Sequence, residues 1–361
     1  GMPFVEWGWH IKNAEHWEAL QEVMRFVNRW RRPLIFLVTG ATIMLALGRR
    51  GAGDFVVDRL KRIGLPLAFG MLAVVPPQIY FERRQQGRFD GSFLEFLPHA
   101  FDGGAYPDGN ISWHHLWFLA YVLVLTLALL PVFLWLRSGH GAAAADRISA
   151  LLARCHLVPL LAVALFAIQF WLHPVSQNRN GLVGDWYGLA SAGMLLLAGA
   201  LLYRSPVLLD WLQRMRLIAL AVGIAAYAVL QAWFFSVRAM APGGEDWLLF
   251  CTLSAINLTA WLFAIAGFAR HLAGPSRLLS YATLVVYPFY ILHQTVTVIA
   301  AFYLVQTGLS VPMKYALTAL ATFLGTWLLH EFLVRRFGLL RLLFGIARET
   351  AAMRKSRLKS A

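Results

Sequence analysis

Four groups of residues in this chain stand where ordinary solvation does not account for them. The first is Trp113-His114-His115-Leu116-Trp117-Phe118-Leu119, which opens an apolar run directly after the turn-rich stretch 102–110. Gly, Pro, Asp and Asn in that stretch predict an irregular loop. A histidine pair at a helix start beside such a loop can bind a polar substrate through His114, His115 and Trp117, or relay a proton. The alternative is an interfacial belt of Trp and His. The second group is Tyr287-Pro-Phe-Tyr-Ile-Leu-His-Gln294, which puts His293 near the middle of a long run with no other charge. Ionisable residues at membrane depth are costly and tend to be functional. Pro288 frees a backbone carbonyl one turn earlier and permits a kink. Tyr290, three residues before His293, shares its helix face. The alternative is a histidine hydrogen-bonded to a neighbouring helix.

The third group is Arg59-Leu-Lys-Arg62, just before Ile63-Gly-Leu-Pro66. Arg59 and Arg62 are spaced to share a helix face, and two guanidiniums at a membrane mouth suit a phosphate-bearing ligand. Ordinary basic anchoring is the alternative. The fourth is His330-Glu331 at the end of the last apolar run, where Glu331 can bind substrate or pair with a nearby Arg. Neighbouring residues point in different directions on a helix, so these two are no dyad by spacing alone. The sequence holds no P-loop, no H-E-x-x-H and no G-x-S-x-G nucleophile elbow, and its His, Cys and carboxylates form no metal-ligand spacing. The two cysteines, Cys155 and Cys251, lie in apolar runs and cannot build a disulfide framework.

These groups have to be positioned by membrane helices. Of 361 residues 59% are hydrophobic and 14% charged, well below the charge of a soluble domain, which excludes a soluble globular enzyme. Nine runs free of Lys, Arg and Asp predict nine spans: 33–48, 63–81, 113–136, 157–172, 186–203, 217–237, 247–268, 281–305 and 315–334. The predicted fold class is therefore all-α, a polytopic membrane helix bundle. Residues 1–32 form a polar head, 33–335 the membrane domain and 336–361 a basic tail. With the tail in the cytoplasm, 21 of the 32 basic residues fall inside and 11 outside, as the positive-inside rule requires. The net charge of +14 is thus loop charge facing the cytoplasm and no sign of nucleic acid. The head then lies outside, yet carries no signal peptide, which predicts a further helix upstream that enters from the cytoplasm.

Five segments make the chain resemble the type-3 membrane acyltransferase family, most of all the branch that contains glucan succinyltransferases (glucans biosynthesis protein C). Arg31-Arg32-Pro33-Leu-Ile-Phe-Leu-Val-Thr-Gly40 resembles the family's second helix. Arg59-x-x-Arg62 with Pro66 resembles its basic motif, and His114-His115-Leu-Trp-Phe-Leu119 its His-Leu-Trp-Phe-Leu signature. Tyr287-Pro-Phe-Tyr-Ile-Leu-His293 resembles its late Tyr-x-x-His helix, and Arg341-Leu-Leu-Phe-Gly345 its closing segment. The resemblance implies ten helices. It implies an acyl-CoA donor used from the cytoplasmic side, its phosphates near Arg59 and Arg62, and no metal. It implies an extracytoplasmic glycan or glycolipid as acceptor. The family's main catalytic histidine ends a first helix that would precede the segment Phe4…Trp9-His10-Ile-Lys-Asn13.

The expected activity is O-acyl transfer in a bacterial inner membrane, with lipid around the protein and a histidine as general base or relay. His115 and His293 are the catalytic candidates within the chain, and Arg59, Arg62, His114, Trp117, Tyr290 and Glu331 the substrate-binding ones. Counting depth along the helices puts His115 and His293 roughly 15 Å apart, with distinct roles. A transporter or flippase of an anionic amphiphile, or an inactive truncated member of the family, is the rival reading. The orientation is open to cysteine-accessibility labelling. Asp90→Cys should react from outside intact cells and Ser356→Cys only after permeabilisation; reaction of position 356 from outside reverses the topology.

Overall fold

Each of the nine apolar runs falls on helix in the computed structural model, which describes residues 3–48, 50–236, 241–274 and 276–346. Arg49, the end of the basic tail from 347 to 361 and the labelling position 356 lie outside the described residues. In chain order the helices are α1 (Glu18–Leu47), α2 (Ala52–Gln85), α3 (Trp117–Ala128), α4 (Leu130–Arg137) and α5 (Gly139–Arg154). They continue with α6 (Leu160–Leu172), α7 (Trp186–Arg204), α8 (Pro206–Ser236), α9 (Glu245–His271), α10 (Arg277–Leu304), α11 (Val311–Val334) and α12 (Gly338–Leu343). Among the described residues the only β-pairing is one isolated bridge, Ala105–Ile111.

Among the described residues seven helices are long and apolar enough to cross a bilayer, or eight if the bent pair α3–α4 counts as one span. The run 113–136, predicted as one span, is bent by 57° at Leu129, where Pro131 in the first turn of α4 has no backbone donor to give. At Pro288, where a kink is permitted, α10 continues as one helix from Arg277 to Leu304. The run at 157–172 forms α6, whose 13 residues rise about 20 Å, less than the hydrocarbon core. In the other direction, α1 begins at Glu18, so half of the polar head is helical.

The chain divides into two units. The second holds α1 from Val23 and the chain from Tyr121 to Pro275. Lipid is as apolar as Leu, so helices here associate by close backbone approach and interhelical hydrogen bonds. A Cβ on Gly40 of α1 would overlap the Leu196 carbonyl of α7, and one on Gly199 of α7 would overlap the Leu37 carbonyl of α1. On α8 and α9, the Asn257 side chain donates to the Gly223 carbonyl at 2.9 Å. Tyr121 donates to Asp185 at 2.6 Å, and Asp185 caps the first turn of α7.

The first unit holds the head to Glu22, α2 from Val57, the loop to α3, and α10 to α12. Two π-helical segments interrupt α2, Leu60–Gly64 and Gly70–Val74, and a proline follows each closely, Pro66 and Pro76. Pro66 has no N–H to give the Arg62 carbonyl, so Tyr287 of α10 donates its hydroxyl there at 2.8 Å. Val74 is served the same way, by the Thr295 hydroxyl at 2.6 Å. Pro66 thus creates one of the carbonyls that tie α2 to α10, and the shifted turn at Val74, where the Gln78 N–H goes to Val75, leaves the other.

Replacing Gly40 or Gly199 with Leu should separate α1 from α7. Overpacking costs about 1–3 kcal/mol or more, read as a fall in melting temperature on fluorescence size-exclusion in detergent. An unchanged melting temperature in both variants removes the small-residue contact as a support of the second unit.

Candidate active site

The head is held in place by its own polar groups. Phe4, Val5 and Ile11 are fully buried, and Ile11 packs with Val298, Ala301 and Phe302 of α10. The Lys12 ammonium donates to the carbonyls of Val5 (2.8 Å), Glu6 (3.0 Å) and Trp7. Burial draws its pKa below the usual lysine value, with Glu6 opposing. The backbone N–H and C=O of Lys12 pair with the Gln85 side chain at the end of α2, both at 2.7 Å. Lys314 of α11 donates to Asn13 and to the Val305 carbonyl, each at 3.1 Å. Lys12 and Lys314 together leave His10 no freedom to swing away from α2.

His10 meets Glu82. Its Nδ1 lies 2.6 Å from the carboxylate, and the two side chains are 11% and 5% exposed. Tyr106 donates to the other carboxylate oxygen at 2.9 Å, and Gln86 at 3.1 Å. Burial and the Glu82 charge push the Tyr106 hydroxyl above its usual value, so it remains a donor. The loop that carries Tyr106 is clamped by buried Arg83, which donates to Asn110 and to the carbonyls of Pro107 and Gly109. Gly109 lies so close to Gly103 that a Cβ would overlap its backbone.

The other ring nitrogen of His10, Nε2, lies 3.1 Å from the Gln294 amide nitrogen. The second N–H of that amide reaches Gln78 at 3.2 Å, and Gln78 donates to Thr295 at 2.7 Å. The Gln294 amide donates both ways, to Gln78 on one side and to His10 on the other. Gln294 gives a hydrogen to His10 Nε2, so His10 carries its proton on Nδ1 and gives it to Glu82. That is an imidazole oriented by a carboxylate, with a lone pair on Nε2.

His114 lies against His10 at 4.3 Å between ring centres, the rings tilted by 46°, and stands edge-on to Tyr106. Its backbone is in the left-handed region, φ 41°, which costs a non-glycine residue energy and clusters at functional sites. The Ser112 hydroxyl accepts from the His114 N–H and lies 2.9 Å from His114 Nδ1. A Ser112 proton donated to Nδ1 leaves His114 with an Nε2–H. That nitrogen is buried without a hydrogen-bond partner among the described residues. The ligand atoms of His10, Glu82 and His114 lie within 4.8 Å of one another, close enough to hold a metal ion. The sequence spacing had suggested no such cluster.

His115 and His293 form a second layer. Their rings are 5.4 Å apart and perpendicular, which corrects the expected separation of roughly 15 Å. The depth count took each helix by itself, whereas the short 3-10 turn His114–Leu116 lays His115 directly against α10. His115 Nε2 donates to the Ile291 carbonyl at 2.9 Å, Tyr290 donates to the His115 carbonyl, and His293 Nδ1 donates to the Tyr290 carbonyl at 2.6 Å. Of the remaining candidates, Trp117 packs its ring on Phe118, and Phe118 is the ring that meets Tyr290. Glu331 is held by Tyr281 (2.7 Å) and Arg335 (2.6 Å), the ion pair with a nearby Arg. None of these bonds joins it to the imidazoles. Arg59 and Arg62 both reach Asp58, at 2.8 and 2.7 Å.

Sequence reasoning missed His10, Glu82, Tyr106, Gln78 and Gln294 as one site. Glu82 sits in the polar stretch that ends α2 and His10 among interfacial tryptophans, so each looks like ordinary boundary polarity. Gln294 adjoins His293 in a motif already singled out. Replacing Glu82 with Leu leaves the donors of His10, Tyr106 and Gln86 without their acceptor. This should cost about 1–3 kcal/mol, seen as a lower melting temperature in detergent, whereas Gln at the same place should cost less.

No curated protein and no solved structure gives a significant match. A family model described as an acyltransferase domain matches residues 5–331, which includes both imidazole layers, the basic pair and Glu331. The apolar helices fit that assignment, and the chain belongs to the acyltransferase 3 family, as a membrane protein.

Proposed function

We propose that the protein is a membrane O-acyltransferase that moves an acetyl- or succinyl-class acyl group from acyl-CoA to a hydroxyl of an extracytoplasmic carbohydrate or lipid-linked acceptor. The glucan-modifying branch is the reading favoured by the sequence motifs. In it, nine helices cross a bacterial inner membrane, with residues 1–32 outside, the membrane domain 33–335 and the tail 336–361 in the cytoplasm. The observation that carries the proposal is the buried Glu82–His10 pair beside the unpartnered Nε2 of His114. In this reading a hydroxyl takes the place of the Gln294 amide at His10 Nε2 and gives up its proton there. Its oxygen bonds to the thioester carbonyl carbon while the His114 N–H supports the oxyanion. The C–S bond then breaks, and the thiolate takes the proton back from His10. A thioester is already activated, so alignment and a base supply most of what is needed.

The geometry of the first unit suits both substrates. From Arg62 to Val74, where α10 meets the polar network, α2 runs twelve residues, about 18 Å of rise. An extended pantetheine arm covers a comparable distance. His115, His293 and Tyr290 line the way. On the far side of Glu82, Arg88, Phe89, His99, Asp102, Asp108 and Asn110 border a cavity of about 260 Å³. Its mix of a ring and planar polar groups is suited to a polyhydroxyl acceptor.

The test is transfer from radiolabelled acetyl- or succinyl-CoA to a soluble glucan by the chain in proteoliposomes. His10→Gln should lower kcat by about 100-fold or more, with donor KM unchanged. Ala at both Arg59 and Arg62 should raise donor KM, and Lys at both should restore it only in part, since Lys lacks the planar fork. Turnover in His10→Gln equal to the unsubstituted protein removes His10 as the base. Uptake of acyl-CoA without transfer would favour the transporter reading.

A further inference from the structure

The mouth of α2 holds an arrangement that anchoring to lipid does not explain. One carboxylate, Asp58, takes both guanidiniums: Oδ2 from Arg59 Nη2 at 2.8 Å and Oδ1 from Arg62 Nε at 2.7 Å. The side chains of Asp58 and Arg59 are only 19% and 13% exposed, so this is more than a solvated surface pair. The Arg62–Asp58 pair has the favoured i,i+4 spacing of a helix. Adjacent side chains ordinarily diverge, yet Arg59 turns back to its neighbour. The π-segment that begins at Leu60 widens the helix directly beyond them, a feature common at functional sites. The backbone beneath is fixed: the Arg62 carbonyl accepts from Tyr287, and Gly345, at φ 67°, lies against that same carbonyl.

Two oxygens of one anion, each holding one guanidinium, is the geometry that two non-bridging oxygens of a phosphate would offer. We infer that Asp58 is an internal stand-in for phosphate, keeping Arg59 and Arg62 at phosphate-binding spacing until a phosphate ester displaces it. The inference rests on the donor-site reading of these arginines. It adds a cost that the basic pair alone would not predict. An arriving phosphate has to break two ion pairs, and the displaced carboxylate stays near it as a like charge. Asp58 therefore weakens donor binding and sets how readily the donor leaves.

The test is equilibrium binding of CoA to the purified chain in phosphatidylcholine nanodiscs, with pantetheine, which lacks phosphate, as the control probe. Asp58→Asn, which removes the charge and keeps the shape, should tighten CoA by about fivefold or more and leave pantetheine unchanged. Asp58→Ser supplies the same loss of charge if the Asn variant gives no monodisperse protein. Equal or weaker CoA binding in the charge-free variant, with binding lost when Arg59 and Arg62 are both Ala, overturns the stand-in role alone. CoA binding that survives the double Ala change overturns the donor site itself. Nanodiscs containing phosphatidylglycerol separate the two sources of phosphate. Tightening of CoA by Asp58→Asn that appears in phosphatidylcholine and is lost to competition in phosphatidylglycerol keeps the displacement and shows that a lipid headgroup takes the same two guanidiniums.

Discussion

A buried carboxylate needs compensation, and in the first unit the compensation of Glu82 organises everything near it. Removing an ionised group from water costs several kcal/mol unless hydrogen bonds and charge replace its hydration. Three donors from different parts of the chain do so: His10 from the head, Tyr106 from the loop before α3 and Gln86 just beyond α2. Each donor then needs its own support. Lys12 and Gln85 fix the head so that His10 faces α2, and Arg83 fixes the loop that brings Tyr106. One charge at the end of one helix thus accounts for the folding of two irregular segments.

The same network assigns protons. The Gln294 amide, held by the Gln78 carbonyl that itself leans on Thr295 through its own amide N–H, donates to His10 Nε2 and leaves the imidazole proton on Nδ1. His114 is assigned the opposite tautomer by Ser112. Two adjacent imidazoles of opposite tautomer, 4.3 Å between ring centres, offer a lone pair and an N–H within one small region. Acyl transfer from a thioester requires those two functions, one for the entering hydroxyl and one for the oxyanion. Below them, His115 and His293 are each tied to a carbonyl of α10, which orients the rings along the helix.

Interruptions in α2 connect this site to the end of the helix that carries Arg59 and Arg62. A proline in a membrane helix leaves a carbonyl that another group has to satisfy. Pro66 leaves the Arg62 carbonyl to Tyr287, and the rearranged turn at Val74 leaves a carbonyl to Thr295. Both partners lie on α10, which also carries His293 and Gln294. The basic pair and the imidazoles are therefore referenced to one another through two helices joined at both levels.

Composition and apolar runs were enough to determine an all-helical membrane protein, because bilayer thickness imposes run length on any spanning helix. Motif order was enough to suggest the family. Arg59 and Arg62 were legible as a face, and Pro66 as an interruption, since both follow from spacing within one helix. His115 and His293 were legible as candidates and illegible as neighbours: depth counted along separate helices holds no information about how those helices lie together. Glu331 was legible as a carboxylate near basic residues, and its pairing with Arg335 follows the helix repeat. His10, Glu82 and Gln294 come from three distant segments, and only tertiary structure brings them together. Hydrogen-bond polarity, which decides which nitrogen holds a proton, is a property of that assembled network and of no residue by itself.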